Sequence, residues 1–257
     1  MNAGPLTEQG TVSVRAVRHG QSLANVAFAR AEADGIPDAG IEKPDQAVLL
    51  SEWGVVQSKS LGRRLAADPQ GLPELVYVSR FLRARQTADL LLSEFGPAAE
   101  QIPVRVDDRL GDKRTGILEL LTPAAIAADF PEEFQKLAAH GPVAYRPPGG
   151  ESLWDVADRL RSFWADLGAT AGAGRVLIVG HDATVLMLRA VTEEMTEAQI
   201  REVIDRDPVG NATITTWEPV DGRLRLVAYN DGSHLSTPAD GSPGPTFRGP
   251  TASESRP

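Results

Sequence analysis

Thr11-Val12-Ser13-Val14-Arg15-Ala16-Val17-Arg18-His19-Gly20-Gln21-Ser22 is the stretch that decides the fold. Its first seven residues are short and β-rich, the pattern of a strand. Arg18-His19-Gly20-Gln21-Ser22 follows directly, and Ser22 can cap a helix through Leu23, Val26 and Phe28. The same order recurs twice. Leu75-Val76-Tyr77-Val78 reads as a buried strand, after which Ser79 caps a helix through Leu92. Arg175 to Val179 reads as a strand, followed by a helix from Asp182 to Val191.

Other segments fill the frame. Residues 35–47 carry Gly, Pro and Asp and read as a loop. Ser51 caps a helix with Trp53, Val56, Leu61 and Leu65 as its apolar positions. Val104 to Val106 is a short strand, and Thr122-Pro123 opens a helix with Pro at its first position. The clearest helix runs from Ser152 to about Leu167, where Leu153, Val156, Leu160, Phe163, Trp164 and Leu167 share one face. Thr213 to Trp217 and Leu224 to Tyr229 alternate as strands around Asp221-Gly222, a hairpin signal with a loop longer than two residues. Strands alternating with helices predict an α/β three-layer sandwich, a mostly parallel sheet with helices on both faces and an antiparallel hairpin near the end.

The 257 residues divide into a flexible N-terminus (1–10), one domain (11–235) and a tail (236–257). In the tail Pro, Gly, Ser and Thr supply 15 of 22 residues, so it cannot bury enough apolar area to offset its ordering entropy and is expected to be disordered. With no cysteine, disulfide scaffolds, Cys-ligated metal sites and a cysteine nucleophile are excluded. A net charge of −9 disfavours nucleic acid as a partner. There is no signal-peptide pattern, and no run approaches the ~18–20 apolar residues of a membrane span. A cytoplasmic protein with no membrane partner is expected.

Open α/β sheets bind ligands at the carboxyl ends of their strands. Three such ends deliver Arg18-His19, Ser79 with Arg83 on the next helix, and Gly180-His181-Asp182. Two histidines, two arginines and helix N-termini converging on one crevice suit a phosphoryl group. Arg matches phosphate oxygens bidentately, helix starts offer N–H groups, and a neutral imidazole can attack phosphorus. His140 and His234 read as structural or surface residues, and Arg63, Arg64, Arg80 and Arg85 as solvated. Gly172-Ala173-Gly174 precedes a strand, so it is a loop and not a dinucleotide fingerprint.

At these residues the sequence resembles the histidine phosphatase superfamily, the phosphoglycerate-mutase-like proteins. Arg18-His19-Gly20-Gln21-Ser22 with Asn25 resembles its signature. So do Leu50-Ser51 through Leu61-Gly62, Ser79 through Ala88 (with Phe81 in place of Leu), Pro148-Gly149-Gly150-Glu151-Ser152, and Val179-Gly180-His181. The blocks stand in family order. The resemblance implies His19 as the nucleophile. It implies Arg18, Arg83 and His181 as holders of the phosphoryl oxygens, and Asn25 as a further phosphate donor. Where the family's general acid is usually Glu in L-x-E-x-x-x-G, this chain has Leu110-Gly111-Asp112, which puts Asp112 there with Glu119 as the nearest substitute. No metal or cofactor is implied.

The family commonly has Gly after the second His, where this chain has Asp182; the favoured reading is a cap of the following helix. A metal-phosphohydrolase reading of His181-Asp182 and a non-catalytic phosphate-binding regulator are the competing classes. Phosphoglycerate mutases of the family carry a W-R-R-S-Y-like stretch, and Phe130 to Tyr145 has no such arginine pair. The expected activity is therefore phosphomonoester hydrolysis through a phosphohistidine, on a small phosphorylated metabolite. Insertions at about 26–48 and 117–148, with Phe28, Ile117, Leu118, Phe130 and Phe134, are expected to cap the crevice over a small, not highly anionic, leaving group.

Overall fold

The computed structural model describes residues 13–41, 44–170, 174–221 and 223–235. The expectations for residues 1–10 and 236–257 fall outside the described residues. Strands β1 (Ser13–Arg18), β2 (Leu75–Val78), β3 (Val104–Val106), β4 (Arg175–Gly180), β5 (Ile214–Val220) and β6 (Arg223–Asp231) form a sheet in the order β3-β2-β4-β1-β5-β6. The first four are mutually parallel, and β5 and β6 are antiparallel additions. The register pairs Arg18 with Gly180, so the exits of β1 and β4 stand side by side.

At the central strands both faces of the sheet are buried, since successive side chains point to opposite sides and helices cover each. Val14, Ala16, Tyr77, Val176 and Ile178 meet helices α6 (Leu153–Thr170), α7 (Asp182–Thr192) and α8 (Glu197–Arg206). Val17, Val76, Val78, Leu177 and Val179 meet α2 (Glu52–Ala66) and α3 (Leu82–Ser93). This is the expected three-layer α/β sandwich. On α6 the anticipated face is the one that is buried, with Leu160 and Phe163 essentially inaccessible. Each such side chain contributes about 1.5–3 kcal/mol of burial. Trp164 is only partly buried and lies edge-on to Trp217, 6.4 Å between centroids.

Several local expectations need correction. Ser22 does cap α1 (Leu23–Asp34), through a capping box with Asn25, and Ser51 caps α2. Val56, however, is exposed; the inner face of α2 is Gly54, Gln57, Ser58, Leu61, Gly62 and Leu65. That face is small and polar because it abuts the turn leaving β1. An added Cβ at Gly20 would lie 2.5 Å from the Gly54 carbonyl oxygen, and one at Gly54 would collide with the Gln21 carbonyl. Ser79 does not cap α3: the helix starts at Leu82 behind Phe81, and the Ser79 hydroxyl is spent on His181. The hairpin loop is two residues long, since Val220 pairs with Arg223, and Asp221 takes the positive φ of 50° that a tight hairpin turn requires. Besides α4 (Pro123–Asp129), the structure adds α5 (Pro131–Ala144) and α8. The start of α8 is a capping box of Thr196 and Gln199, a legible S/T-x-x-Q signal.

Candidate active site

β1 ends by handing its last two carbonyls to the chain before β5. Ala212 N donates to the Arg18 and His19 carbonyls, and Asn211 Nδ2 donates to the His19 carbonyl at 3.1 Å. His19 N donates to Gly180 O at 2.9 Å, which ties the two strand exits together. The His19 ring is then fixed from both sides. Its Nδ1 donates to the Gly20 carbonyl at 2.7 Å, so Nε2 carries the lone pair, and Nε2 accepts from Arg83 Nε at 3.1 Å. Burial and the Arg83 guanidinium, with His181 and Arg18 behind them, hold His19 well below the usual histidine range. It is a neutral imidazole.

Arg83 is fully committed. Its Nε donates to His19, Nη1 to the Asp45 carboxylate and carbonyl at 2.8 Å each, and Nη2 to Asp45 Oδ2 at 3.1 Å and Asp112 Oδ2 at 2.9 Å. A guanidinium has five N–H donors, and all five are used. Arg18 is different. Nη1 donates to Val209 O at 2.7 Å and Nη2 lies 3.3 Å from Asp182 Oδ2, but its buried Nε has no partner among the described residues. A buried unsatisfied donor is costly unless a ligand completes it.

His181 is completely buried behind these groups, its ring edge-on to His19 at 5.2 Å and to Phe81 at 4.8 Å. Its Nε2 accepts from the Ser79 hydroxyl at 2.8 Å. Its Nδ1 lies 3.3 Å from Asp112 Oδ2, near enough for charge interaction but not aligned as a hydrogen bond. Burial pushes the His181 pKa down, against the pull of Asp112. For Asp112 burial pushes up, but His181 and Arg83 outweigh it and hold the carboxyl well below the ordinary range. Asp112 is therefore a carboxylate here. Lys113, the next residue, is driven down by burial and makes no ion pair among the described residues.

These groups open on a cavity of about 290 Å³. Arg18, His19, Asn25, Arg83 and Asp112 all line it; His181 stands one layer behind. Asn25 uses its Oδ1 in the capping box with Ser22 and on Asn211, which leaves its amide nitrogen as the donating end. Glu119 does not line the cavity. Of the capping residues, Phe28 and Leu118 do line it, whereas Ile117 is exposed and Phe130 and Phe134 pack in a satellite cluster with Leu118, Ile126 and Tyr145. Asp182 is not the cap of α7. His181 holds that place, and Asp182 follows it, with Oδ1 accepting from Ala183 N and Oδ2 facing Arg18. The His181-Asp182 pair is thus divided between two jobs. Among the described residues, no three His, Asp or Glu side chains cluster as a metal site requires.

Sequence reasoning missed Asp45, Lys113 and Asn211. Asp45 sits in a 3₁₀ turn at Asp45–Ala47 within a stretch that reads as plain loop. Gly210-Asn211 is a turn signal directly before β5, and it becomes informative only once β5 is known to lie beside β1.

The model of the histidine phosphatase superfamily (branch 1) matches residues 14–232. A 2,3-bisphosphoglycerate-dependent phosphoglycerate mutase of Methylobacterium radiotolerans is 32% identical over 189 residues, covering 73% of this chain and 82% of the relative. A metal-independent phosphoserine phosphatase of Arabidopsis thaliana is 26% identical over 231 residues, 90% of this chain and 86% of that one. Among solved structures, a mycobacterial glucosyl-3-phosphoglycerate phosphatase complexed with VO3 is similar with a TM-score of 0.66 at 28% identity, over 85% of this chain and 99% of the other.

Proposed function

Because the chain belongs to the histidine phosphatase superfamily, we propose that it is a metal-independent phosphomonoesterase working through a phosphohistidine. One observation carries the reading: neutral His19 stands at the cavity with its Nε2 lone pair toward Arg83 Nε, and Arg18 and Asp112 line the same cavity. The ester's phosphoryl oxygens take Arg18, the Asn25 amide and the donors of Arg83, whose Nε–H leaves His19 for a phosphoryl oxygen and so frees the Nε2 lone pair. Nε2 attacks phosphorus, the N–P bond forms, and the bond to the leaving oxygen breaks. A water oxygen then attacks phosphorus from the same pocket and gives its proton to the Asp112 carboxylate left by the first step, the P–N bond breaks with its electron pair returning to Nε2, and phosphate leaves.

Asp112 supplies the proton to the leaving oxygen. It is ionised in the free protein, and two changes on binding raise its pKa: the phosphoryl dianion arrives, and Arg83 turns from carboxylate to phosphoryl oxygen. Arg18 and Arg83 provide the positive charge that stabilises the transition state, and His181, one layer behind, holds its place through Ser79 and Asp112.

Similarity to the phosphoglycerate mutases favours a second reading, phosphoryl transfer between positions of one substrate. Charge supports hydrolysis instead. In the cavity the three cations Arg18, Arg83 and Lys113 stand against the three carboxylates Asp45, Asp112 and Asp182, so the lining carries no net positive charge for a doubly phosphorylated intermediate. Nearby basic residues are engaged elsewhere: Arg114 and Arg159 on Glu151, Lys136 on Glu133, and Arg146 on Asp155.

The test is chemical quench with a reactive phosphoester, followed by parallel assays of phosphate release and of isomerisation of 3-phosphoglycerate. An acid-labile, base-stable phosphoryl group on His19 with phosphate release is the expected result. Isomerisation outrunning release would install the mutase reading.

A further inference from the structure

Beyond the side chains that meet the phosphoryl group, the cavity wall is largely apolar and drawn from several elements. Leu118, Leu120 and Leu121 line it from the cap, Leu186 from α7, and Val203 and Ile204 from α8. We infer that this wall is a leaving-group subsite for phosphate monoesters whose alcohol is apolar, an alkyl or aryl group rather than a sugar, glycerate or amino acid. The inference rests on the phosphomonoesterase reading and sharpens it.

Of the polar side chains around the wall, Thr115 and Lys113 keep groups unengaged among the described residues, and others are already spent. The Tyr229 hydroxyl donates to the Asp207 carbonyl at 3.1 Å, Ser22 caps α1, and Asp45 is held by Arg83. A polyhydroxylated leaving group would lose its water there and find few replacements, which is unfavourable. An apolar one loses nothing by leaving water.

Leu120 is a second observation. Its φ is 59°, in the left-handed region that a bulky residue rarely adopts. The chain holds that conformation between the 3₁₀ turn Gly116–Leu118 and the Thr122 cap of α4, and thereby sets three leucines along one rim. Such outliers gather where a surface serves a ligand. A cavity of about 290 Å³ suits a small group, not a long lipid chain.

Lys113 points to the rival chemistry, a carboxylated leaving group, since it is the one cation in the cavity without an ion pair among the described residues. Its ammonium, however, is already opposed by Asp112, Glu151 and Asp182.

Binding of non-hydrolysable phosphonates to the full chain separates these outcomes without requiring turnover. Methyl-, propyl- and pentylphosphonate, 3-phosphonopropionate and inorganic phosphate would be titrated calorimetrically. The expected result is an affinity gain approaching fourfold per methylene along the alkyl series, with 3-phosphonopropionate weaker than its alkyl counterpart. Val203→Asn and Leu121→Asn, both at partly buried positions, should flatten the ratio of pentylphosphonate to inorganic-phosphate affinity. That ratio is a readout that a general loss of stability would not move. A flat alkyl series, or tighter binding of 3-phosphonopropionate, overturns the apolar subsite while leaving the phosphatase reading intact. Failure of every phosphonate and of inorganic phosphate to bind overturns both.

Discussion

The exits of β1 and β4 lie side by side and each presents a histidine, yet they hold their rings by different means. His19 is anchored by its own chain through Nδ1, bound to the Gly20 carbonyl, and only its cavity-side Nε2 meets a side chain, Arg83. His181 is held by side chains, the Ser79 hydroxyl on one nitrogen and the Asp112 carboxylate near the other. A ring fixed by backbone keeps its aim throughout a reaction. A ring held by side chains follows whatever those side chains do, and Asp112 is shared with Arg83. The difference assigns constancy to one exit and response to the other.

The strongest way to break this comparison is to remove the fixed ring. His19→Ala should abolish turnover and the trapped phosphoryl group together, as measured by quench and phosphate release; retained turnover would end the assignment. Next is the carboxylate that serves both His181 and Arg83. Asp112→Asn should slow alkyl phosphates by roughly 10²–10⁴, the usual worth of general acid catalysis. An aryl phosphate with an acidic phenol should be slowed far less, because its leaving group departs without a proton. Equal losses on both substrates would assign Asp112 to positioning alone.

Ser79→Ala tests the responsive ring more gently. It leaves buried His181 Nε2 unpartnered, a change worth about 1–3 kcal/mol, and should lower kcat by about tenfold with little effect on KM. Asp45→Asn should have the smallest effect. It frees two Arg83 donors from a competing carboxylate at a partly exposed position, so inhibition by inorganic phosphate should tighten roughly two- to fivefold. Weaker inhibition would mean Asp45 aims Arg83 instead.

Acid stability sharpens the same contrast. Both rings have folded pKa values below their unfolded value of 6.5. The unfolded chain therefore binds more protons below about pH 6.5, and stability falls as pH drops through that region. Asp112, depressed from 3.8, adds a further loss only at still lower pH. Thermal midpoints measured from pH 7.5 to 5 should decline, and less steeply in His19→Ala; a flat profile would mean that the rings are not held neutral.

Much of this was legible in the chain. Strands, caps and the α6 stripe are local, and periodicity and capping chemistry report them directly. Arg18 and His19 could be placed at a strand end and Arg83 on the first turn of a helix, Asp112 came only with the family resemblance, and the structure gathers all four at one cavity. What escaped depends on distance. Ser79 has the chemistry of a helix cap, and only the approach of His181, 102 residues away, redirects its hydroxyl. Asp182 likewise looks like a cap until Arg18 is seen opposite. Asp45 carries no periodic signal at all, and its partner lies 38 residues downstream. Val56 fits a helical apolar stripe, but the contact surface of α2 was set by the glycines that let it close on the β1 turn.

Those glycines carry a mechanical consequence. Gly54 sits in the first turn of α2 with its backbone against Gln21, two residues past His19, while Gly20 leaves no room on the opposite side. The helix thus acts as a gauge block for the nucleophile: displacing it displaces the attacking nitrogen. A methyl group at position 54 would be felt as a longer path to phosphorus, although position 54 never meets substrate.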